Sequence, residues 1–172
     1  MASLLFNNIV RTLSWSLRIG CTVHYVHSNI YEFSETQGES MLPTLNYAGD
    51  FVHTDKTCKR GKDCRVGDVV VLLKPSDPSQ RVCKRITGMA GDYIEIDPSA
   101  AEHAVASEIG LDTRRFIQIP EGHCWVTGDN LSQSLDSRSY GVIPLALVKG
   151  RIFGVHSTRG EFRWIENNLL PA

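Results

Sequence analysis

Lys84 lies in a stretch whose alternation is typical of a β-strand, and its neighbours make it chemically unusual. Successive side chains of an extended chain point to opposite faces, so Val82, Lys84 and Ile86 share one face. Burial between two β-branched aliphatic side chains disfavours the ammonium form and lowers a lysine pKa, so that the lysine can act as a base. The alternative is a lysine that snorkels out of a half-buried strand.

Ser40 is a candidate nucleophile because it stands between a flexible residue and a rigid turn. Residues 38–45 read Gly-Glu-Ser-Met-Leu-Pro-Thr-Leu, in which Gly38 permits close backbone approach and Pro43 restricts the turn. A serine at such a place is often only a capping or turn residue. As a nucleophile it needs an adjacent base. Lys84 could be that base if its pKa fell from about 10.4 toward about 7–8.

A third segment is dense in turn formers and short hydrogen-bonding side chains. Residues 128–141 read Gly-Asp-Asn-Leu-Ser-Gln-Ser-Leu-Asp-Ser-Arg-Ser-Tyr-Gly, and a solvated loop would look similar. Together the three segments resemble, in order, the characteristic boxes of the type I signal peptidase family: Ser-Met-x-Pro-Thr, Lys-Arg-x-x-Gly-x-x-Gly-Asp and Gly-Asp-Asn-x-x-x-Ser-x-Asp-Ser-Arg-x-x-Gly. A fainter box, Gly-Asp-Val-Val, stands at 67–70. The resemblance covers residues 34–155 and is specific, since three spaced motifs agree in order.

Other stretches resemble the mitochondrial inner-membrane branch of that family, namely residues 31–36, 38–45, 73–78 and 120–130. The resemblance implies a mainly β fold, in which an N-terminal membrane-anchoring helix precedes an antiparallel β catalytic domain of the signal-peptidase type. It implies a serine endopeptidase with a Ser-Lys dyad, whose catalytic domain faces the intermembrane space. The implied substrates are precursor proteins with cleavable sorting signals, and the implied partner is a paralogous second catalytic subunit.

The resemblance also implies a role for each matching residue. Ser40 is expected to be the nucleophile and to offer its own backbone N–H to the oxyanion, Lys84 to be the general base, and Ser134 to orient the lysine. The expected scaffold of the site comprises Met41, Pro43, Arg85, Asp129, Asp136 and Arg138. Some bacterial members carry a hydroxyl two residues before the nucleophile as a second oxyanion donor. Gly38 stands there in this chain, so the sequence does not identify the second donor.

Composition limits the classes of function. The 172 residues suffice for one domain with an added terminal segment, and 19 acidic against 18 basic residues give no basic excess that would point to nucleic acid. The number of cysteines is odd; Cys58 and Cys64 could close a small loop in an oxidising compartment, or be unrelated thiols. His24 and His27 lack a third ligand, so we expect no metal and no cofactor.

The amino-terminal segment, expected to comprise residues 1–33, has no acidic residue before Glu32 and contains arginine and serine, as mitochondrial targeting segments do. On a helical wheel an apolar stripe lies opposite a polar one. The apolar stripe comprises Trp15, Ile19, Val23, Val26 and Ile30; the polar stripe comprises Arg11, Ser14, Arg18, Cys21, Tyr25 and Ser28. Arg18 near the middle would cost about 2.5–3.5 kcal/mol in a span. Hydropathy alone therefore favours an interfacial helix, or a span whose polar face a partner covers. The resemblance favours the span.

The pattern from residue 34 to 160 predicts a β domain, followed by a short tail at 161–172. Candidate strands lie at 50–54, 69–73, 94–96, 116–119, 125–127 and 152–155, each bounded by turn formers. The run at 69–73 is continuously apolar, which is typical of a buried strand. Residues 98–111 are the exception, because Ser-Ala-Ala-Glu at 99–102 predicts a short capped helix.

Other interpretations have less support from the sequence. None of the six histidines lies in a motif of a Ser-His-Asp triad, and Pro43 occupies the lysine position of a penicillin-binding Ser-x-x-Lys helix. Self-cleaving repressors use a similar dyad, but they need a DNA-binding domain whose polar, basic helices this amino terminus lacks. A non-catalytic, sorting-signal-binding companion of the same fold is the remaining alternative. The presence of both Ser40 and Lys84 favours the enzyme.

Overall fold

A computed structural model describes residues 2–95, 116–167 and 169 of the chain. Helix α1 (Ala2–Asn29) precedes a β domain, and the short helix α2 (Ser137–Tyr140) lies within that domain. The strands are β1 (Tyr31–Gln37), β2 (Ala48–Asp55), β3 (Val69–Lys74), β4 (Asp77–Met89), β5 (Tyr93–Glu95), β6 (Phe116–Gln118), β7 (His123–Thr127), β8 (Ile143–Pro144), β9 (Val148–Ser157) and β10 (Phe162–Trp164). The predicted mainly β fold with an amino-terminal helix is confirmed.

One antiparallel sheet has the strand order β1-β2-β9-β3-β4-β7-β8, with β10 paired to β9, and β5 and β6 form a separate antiparallel pair. Each predicted strand corresponds to an observed one, in β2, β3, β5, β6, β7 and β9, and the stretch around Lys84 lies in β4. Residue 96 and the helix predicted at 98–111 lie outside the described residues. Three strands were not predicted, namely β1, the two-residue β8 and β10. β1 begins directly after α1, before the expected boundary at residue 33, and β10 lies in the segment expected to be a tail.

The two faces of β3 contribute to two separate apolar clusters. Val70 and Leu72 pack in one cluster with Ile86 of β4, whereas Val69 and Val71 pack in the other. Each of these residues is at most 7% exposed. The continuous apolar run at 69–73 was predicted to be a buried strand, and this is confirmed, because a strand covered on both faces needs apolar residues at successive positions.

Helix α1 leaves its apolar stripe uncovered by the described part of the chain. Trp15, Ile19 and Val23 are each more than half exposed. The guanidinium of Arg18 lies 5.5 Å from the centroid of the Trp15 ring, within cation–π range. In the described ranges, no helix combines the length and the apolar content that crossing a bilayer requires.

Cys58 and Cys64 are free thiols in the structure, so no disulfide closes the loop between them. The Cys64 Sγ lies 3.8 Å from the Cys58 carbonyl oxygen. Burial raises the pKa of Cys64 to about 12. Both thiols lie in the apolar cluster of Val70 and act there as small apolar side chains.

Candidate active site

Lys84 lies within β4, directly opposite Val70 of β3. Val70 shares an apolar cluster with Val82 and Ile86, and cross-strand partners lie on one face of a sheet. The predicted face for Lys84 is therefore confirmed. Lys84 is only 3% exposed, and its ammonium nitrogen makes no hydrogen bond or ion pair with the described residues.

The surroundings of Lys84 favour its neutral form. Burial lowers the pKa of Lys84 below its ordinary value, and the negative charge of Asp136 opposes that shift. The positive charge of Arg138 adds to the lowering. A buried amine without an ion pair releases its proton more readily than a free lysine does, which suits a general base.

Asp136 organises the segment that follows β7. It is fully buried, accepts hydrogen bonds from the Gly128 amide and from Arg138 Nε, both at 2.9 Å, and caps α2 through the Arg138 amide. Burial alone would raise the pKa of Asp136, but its hydrogen bonds, led by that of Arg138, bring it below the ordinary value. Asp136 is therefore a carboxylate whose charge is already partnered by an arginine.

Gly128 is the point at which Ser40 and Ser134 approach each other. A Cβ at this position would lie 2.3 Å from Ser134 Oγ and 2.3 Å from the Ser40 carbonyl oxygen, so only glycine fits. Ser134 Oγ is buried without a partner at hydrogen-bonding geometry, although it lies close enough to Asp136 to lower the pKa of that carboxyl. Its hydroxyl is therefore available to another group in the site.

The turn that carries Ser40 is held against the same segment. The Ser40 carbonyl accepts a hydrogen bond from the Asn130 amide at 3.1 Å, and Asn130 Nδ2 donates to the Glu39 carbonyl at 3.1 Å. The Ser40 amide donates to no described group, which leaves it free for an oxyanion. Gly38 has a φ of 126°, and its amide donates to the Tyr47 carbonyl at 2.8 Å.

A bidentate ion pair supports the turn from beneath. Arg85 donates to Asp129 from Nε at 2.8 Å and from Nη2 at 2.7 Å, and the Thr44 hydroxyl donates to the same carboxylate. Arg85 Nη1 also donates to the Gly67 carbonyl at 2.6 Å. Both charges are largely buried, and the paired geometry compensates their desolvation. The pair therefore joins the three sequence boxes in one place.

The structure thus brings together residues from all the predicted boxes around Gly128. Sequence reasoning assigned no role to Asn130 or Thr44, although both lie inside the boxes. The available signals were the side-chain amide directly after Gly128-Asp129 and the hydroxyl directly after Pro43. Of the other scaffold residues, Met41 is 2% exposed in the cluster of Val69 and Val71. Pro43 lies in the turn between Ser40 and Thr44.

A cleft of about 250 Å³ lies beside Ser40, between β1 and β4. Met41 and Val71 line it together with Val82 and Cys83, the two residues before Lys84. Within the described ranges β1 pairs only with β2, so its other edge is open to a further strand.

An ion pair stands where both walls of the cleft meet. Glu32 of β1 accepts from Arg81 Nη1 of β4 at 2.5 Å and from Lys56 Nζ at 2.6 Å. Both Glu32 and Arg81 line the cleft. One carboxylate therefore connects β1 with β4 and with the segment after β2.

The chain matches the family model described as "Signal peptidase, peptidase S26" over residues 9–156. It is 45% identical to mitochondrial inner membrane protease subunit 1 of Saccharomyces cerevisiae, covering 94% of this chain and 92% of the relative. The subunit 1 of Schizosaccharomyces pombe is 44% identical over 79% of this chain and 80% of its own. A subunit 2 from Danio rerio is 30% identical over 80% of this chain and 70% of its own, so the relatives include two paralogous subunits. The chain therefore belongs to the peptidase S26 family of signal peptidases, and it is a serine endopeptidase of the mitochondrial inner membrane.

Proposed function

We propose that the chain is a catalytic subunit that removes N-terminal sorting signals from precursors delivered to the intermembrane space or the inner membrane. The observation that carries this proposal is a buried lysine without an ion pair, Lys84, beside the segment to which the Ser40 turn is bound. A non-catalytic companion subunit would have no use for a lysine held in this costly state.

In this proposal Lys84 Nζ takes the proton of Ser40 Oγ as the oxygen attacks the scissile carbonyl carbon. The Ser40 amide donates to the oxyanion that forms. Lys84 then gives the proton to the departing amine of the substrate. The neutral Lys84 amine later activates the water that hydrolyses the acyl-enzyme. Lys84 Nζ and Ser40 Oγ form no hydrogen bond in this structure. Such contacts are often long before substrate binds.

Ser134 and the scaffold residues act in this proposal through the two reacting groups. The unpartnered Ser134 hydroxyl is close to Asp136 and suits a hydrogen bond that orients the neutral Lys84 amine. Asp136 and Arg138 hold the segment of Ser134, and Asp129 and Arg85 hold the turn of Ser40. Met41 and Pro43 contribute packing and restriction of the turn. The Gly38 amide already donates to the Tyr47 carbonyl and is therefore not free to donate to the oxyanion.

The substrate is proposed to bind as an added strand in the cleft between β1 and β4. The free edge of β1 can pair with the main chain of an extended segment, and the cleft can take side chains at alternate positions.

The proposed organisation assigns residues 1–33 to targeting and membrane anchoring, residues 34–160 to catalysis and residues 161–172 to a tail. We infer that α1 anchors the chain, that the catalytic domain faces the intermembrane space, and that a paralogous catalytic subunit is the partner. The named subunits among the relatives support the last point.

An active-site-directed serine hydrolase probe tests the proposal. We expect the probe to label Ser40, and the label to disappear in Ser40→Ala and Lys84→Met. Ser139→Ala is the matched control, because Ser139 is an exposed serine of helix α2. Sequencing the new N-termini of precursors treated with the membrane-extracted assembly then identifies the cleaved bonds. Labelling that survives Ser40→Ala would contradict the assignment.

A further inference from the structure

A run of basic residues directly follows β2 and has no role in the proposed proteolysis. Residues 56–62 read Lys-Thr-Cys-Lys-Arg-Gly-Lys, with four cations in seven positions. The run forms 3-10 turns within Lys56–Gly61 that a kink at residues 58–60 interrupts, and Arg60 adopts a φ of 60° there. This backbone directs Lys56, Lys59 and Arg60 toward one cavity.

That cavity has a volume of about 340 Å³ and is lined mainly by cationic side chains. No carboxylate is among its lining residues. They are Ser28, Lys56, Lys59, Arg60, Arg81, Ala146, Val148 and Lys149. A concave surface with one sign of charge concentrates counter-ions of the other sign, so the cavity is suited to an anion.

The positive charge of the cavity is only partly compensated. Glu32 pairs with Lys56 at 2.6 Å and with Arg81 at 2.5 Å, so a single carboxylate serves two cations. Arg60 and Lys149 form no ion pair with any described residue. Burial lowers the pKa of Lys59, and the charges of Lys56 and Lys149 lower it further. The residues around the cavity therefore keep an excess of positive charge.

The cavity lies at the junction between α1 and the β domain. Lys56 Nζ donates to the His27 carbonyl at 2.9 Å, and Lys59 Nζ donates to the Ser28 carbonyl at 2.6 Å. The last carbonyls of a helix have no partner within the helix, and cations near them are favourable. If α1 anchors the chain, the cavity stands where the chain leaves the membrane.

We propose that this cavity binds the phosphate of an anionic phospholipid headgroup and thereby fixes the β domain at the membrane surface. The proposal rests on the membrane anchoring by α1 inferred above. Arg60 offers a planar guanidinium that can hold two phosphate oxygens, and Lys149 offers a point charge. Basic segments next to a membrane helix attract anionic lipids, and the attraction grows with each added cation.

The full chain, purified in a neutral detergent, is titrated with short-chain phosphatidylglycerol by calorimetry at low ionic strength. We expect saturable binding that short-chain phosphatidylcholine does not reproduce. Neutralising one lining cation should weaken binding about fivefold, and the double variant Arg60→Gln/Lys149→Gln about twenty-five-fold. Lys62→Gln/Arg159→Gln is the matched control, because it removes the same charge from exposed positions that do not line the cavity. The control should bind within about twofold of the wild type, since lost contacts rather than net charge set the effect.

Three results would overturn the proposal. Equal losses in both double variants would mean diffuse attraction rather than a site. Inorganic phosphate that binds as tightly as phosphatidylglycerol would make the cavity a free-anion site. A raised KM for a precursor peptide in the cavity variant, measured without anionic lipid, would make the cavity a substrate contact. Lys149→Gln alone replaces the double variant if the melting temperature shows that the latter unfolds.

Ser40→Ala should bind the lipid as the wild type does. A wild-type chain that binds the lipid but does not cleave precursors would therefore contradict the proposed function and leave the lipid site standing. A wild-type chain that cleaves precursors but does not bind the lipid would contradict the lipid site and leave the proposed function standing.

Discussion

Lys84 is kept without an ion pair although two carboxylates belong to the same site. Arg85 holds Asp129 and Arg138 holds Asp136, each through two or more hydrogen bonds. An arginine stays charged at every relevant pH, so each carboxylate has a cationic partner other than the lysine. A free carboxylate at either position would raise the pKa of Lys84 and remove the base. In the proposed mechanism, the two arginines therefore help to keep the pKa of Lys84 low by pairing with both carboxylates.

The proposed dyad of Ser40 and Lys84 predicts a non-additive loss of activity. Ser40→Ala and Lys84→Met should each abolish processing, and the double variant should be no worse than either single one, because the two residues act as a unit. Turnover of a precursor peptide, with the amount of folded protein measured alongside, checks this. Ser139→Ala should leave turnover unchanged. Near-normal activity of Lys84→Met would remove the lysine from the mechanism.

Turnover should rise with pH through an apparent value below that of a free lysine, because burial lowers the pKa of Lys84 and only the neutral amine accepts a proton. Val82→Thr puts a hydroxyl into the apolar surroundings at nearly constant size and should move this rise toward alkaline pH. Val155→Thr, in the other apolar cluster, controls for a general loosening of the core. The measurement is a pH–rate profile of each variant. If turnover rises at the same pH in Val82→Thr as in the wild type, the strand face of Val82 and Ile86 does not desolvate Lys84.

The sequence predicted the residues of the site better than their connections. The face of Lys84 follows from local alternation, which is a property of the strand alone. Asn130 and Thr44 depend on the approach of two loops that are far apart in the chain, and no local pattern specifies which donor meets which carbonyl. Their roles appear only when the 38–45 turn and the 128–136 segment are brought together.

Among the elements, β1 shows how a strand can escape prediction when its sequence carries no apolar pattern. The strands found from sequence carry apolar runs or alternation, whereas β1 is polar at most positions and no residue of it is fully buried. β1 is defined by its pairing with β2 and by the contact of Glu32 with Arg81. β1 therefore forms one wall of the cleft, although the apolar pattern of the sequence does not specify it.

Glu32→Gln should destabilise the fold by about 1–3 kcal/mol at neutral pH, since a buried lysine and an arginine lose their charged partner. Burial alone would raise the pKa of Glu32, but Lys56 and Arg81 hold it below the ordinary value. The stabilisation is therefore present above the unfolded-state pKa of about 4.3 and is lost as the pH falls through the lower, folded-state value. Urea unfolding at several pH values should show the gap between variant and wild type closing in acid.

The matched control for this prediction is Glu35→Gln on the same strand. Glu35 is exposed and forms no ion pair with the described residues, so its replacement should change the free energy of unfolding little at any pH. Equal effects of the two variants would mean that the Glu32 cluster contributes nothing specific.

For the whole molecule, the notable feature is the contrast between a compact β domain and an uncovered helix. The apolar stripe of α1 is exposed along its length, yet the end of the helix is fixed to the domain by Lys56 and Lys59. Such a stripe needs a covering surface that the described chain does not supply. The sequence predicted the stripe, but the anchoring lysines lie in a basic run that carries no helical signal.

The polar stripe of α1 should be covered by the partner subunit. Arg18 facing lipid unaided would cost about 2.5–3.5 kcal/mol at mid-membrane, and its stacking on Trp15 shields only one side of the guanidinium. We expect the wild-type chain to stay in the membrane pellet on alkaline carbonate extraction. Arg18→Leu should stay there as well but lose co-purification with the second subunit.

Arg11→Leu, nearer the start of the helix, should keep the partner, because a cation close to the membrane surface can reach water without one. Release of the wild-type chain by carbonate would instead place α1 along the membrane surface. Unchanged partner binding in Arg18→Leu would mean that the arginine reaches the interface by itself and that the stripe has no partner.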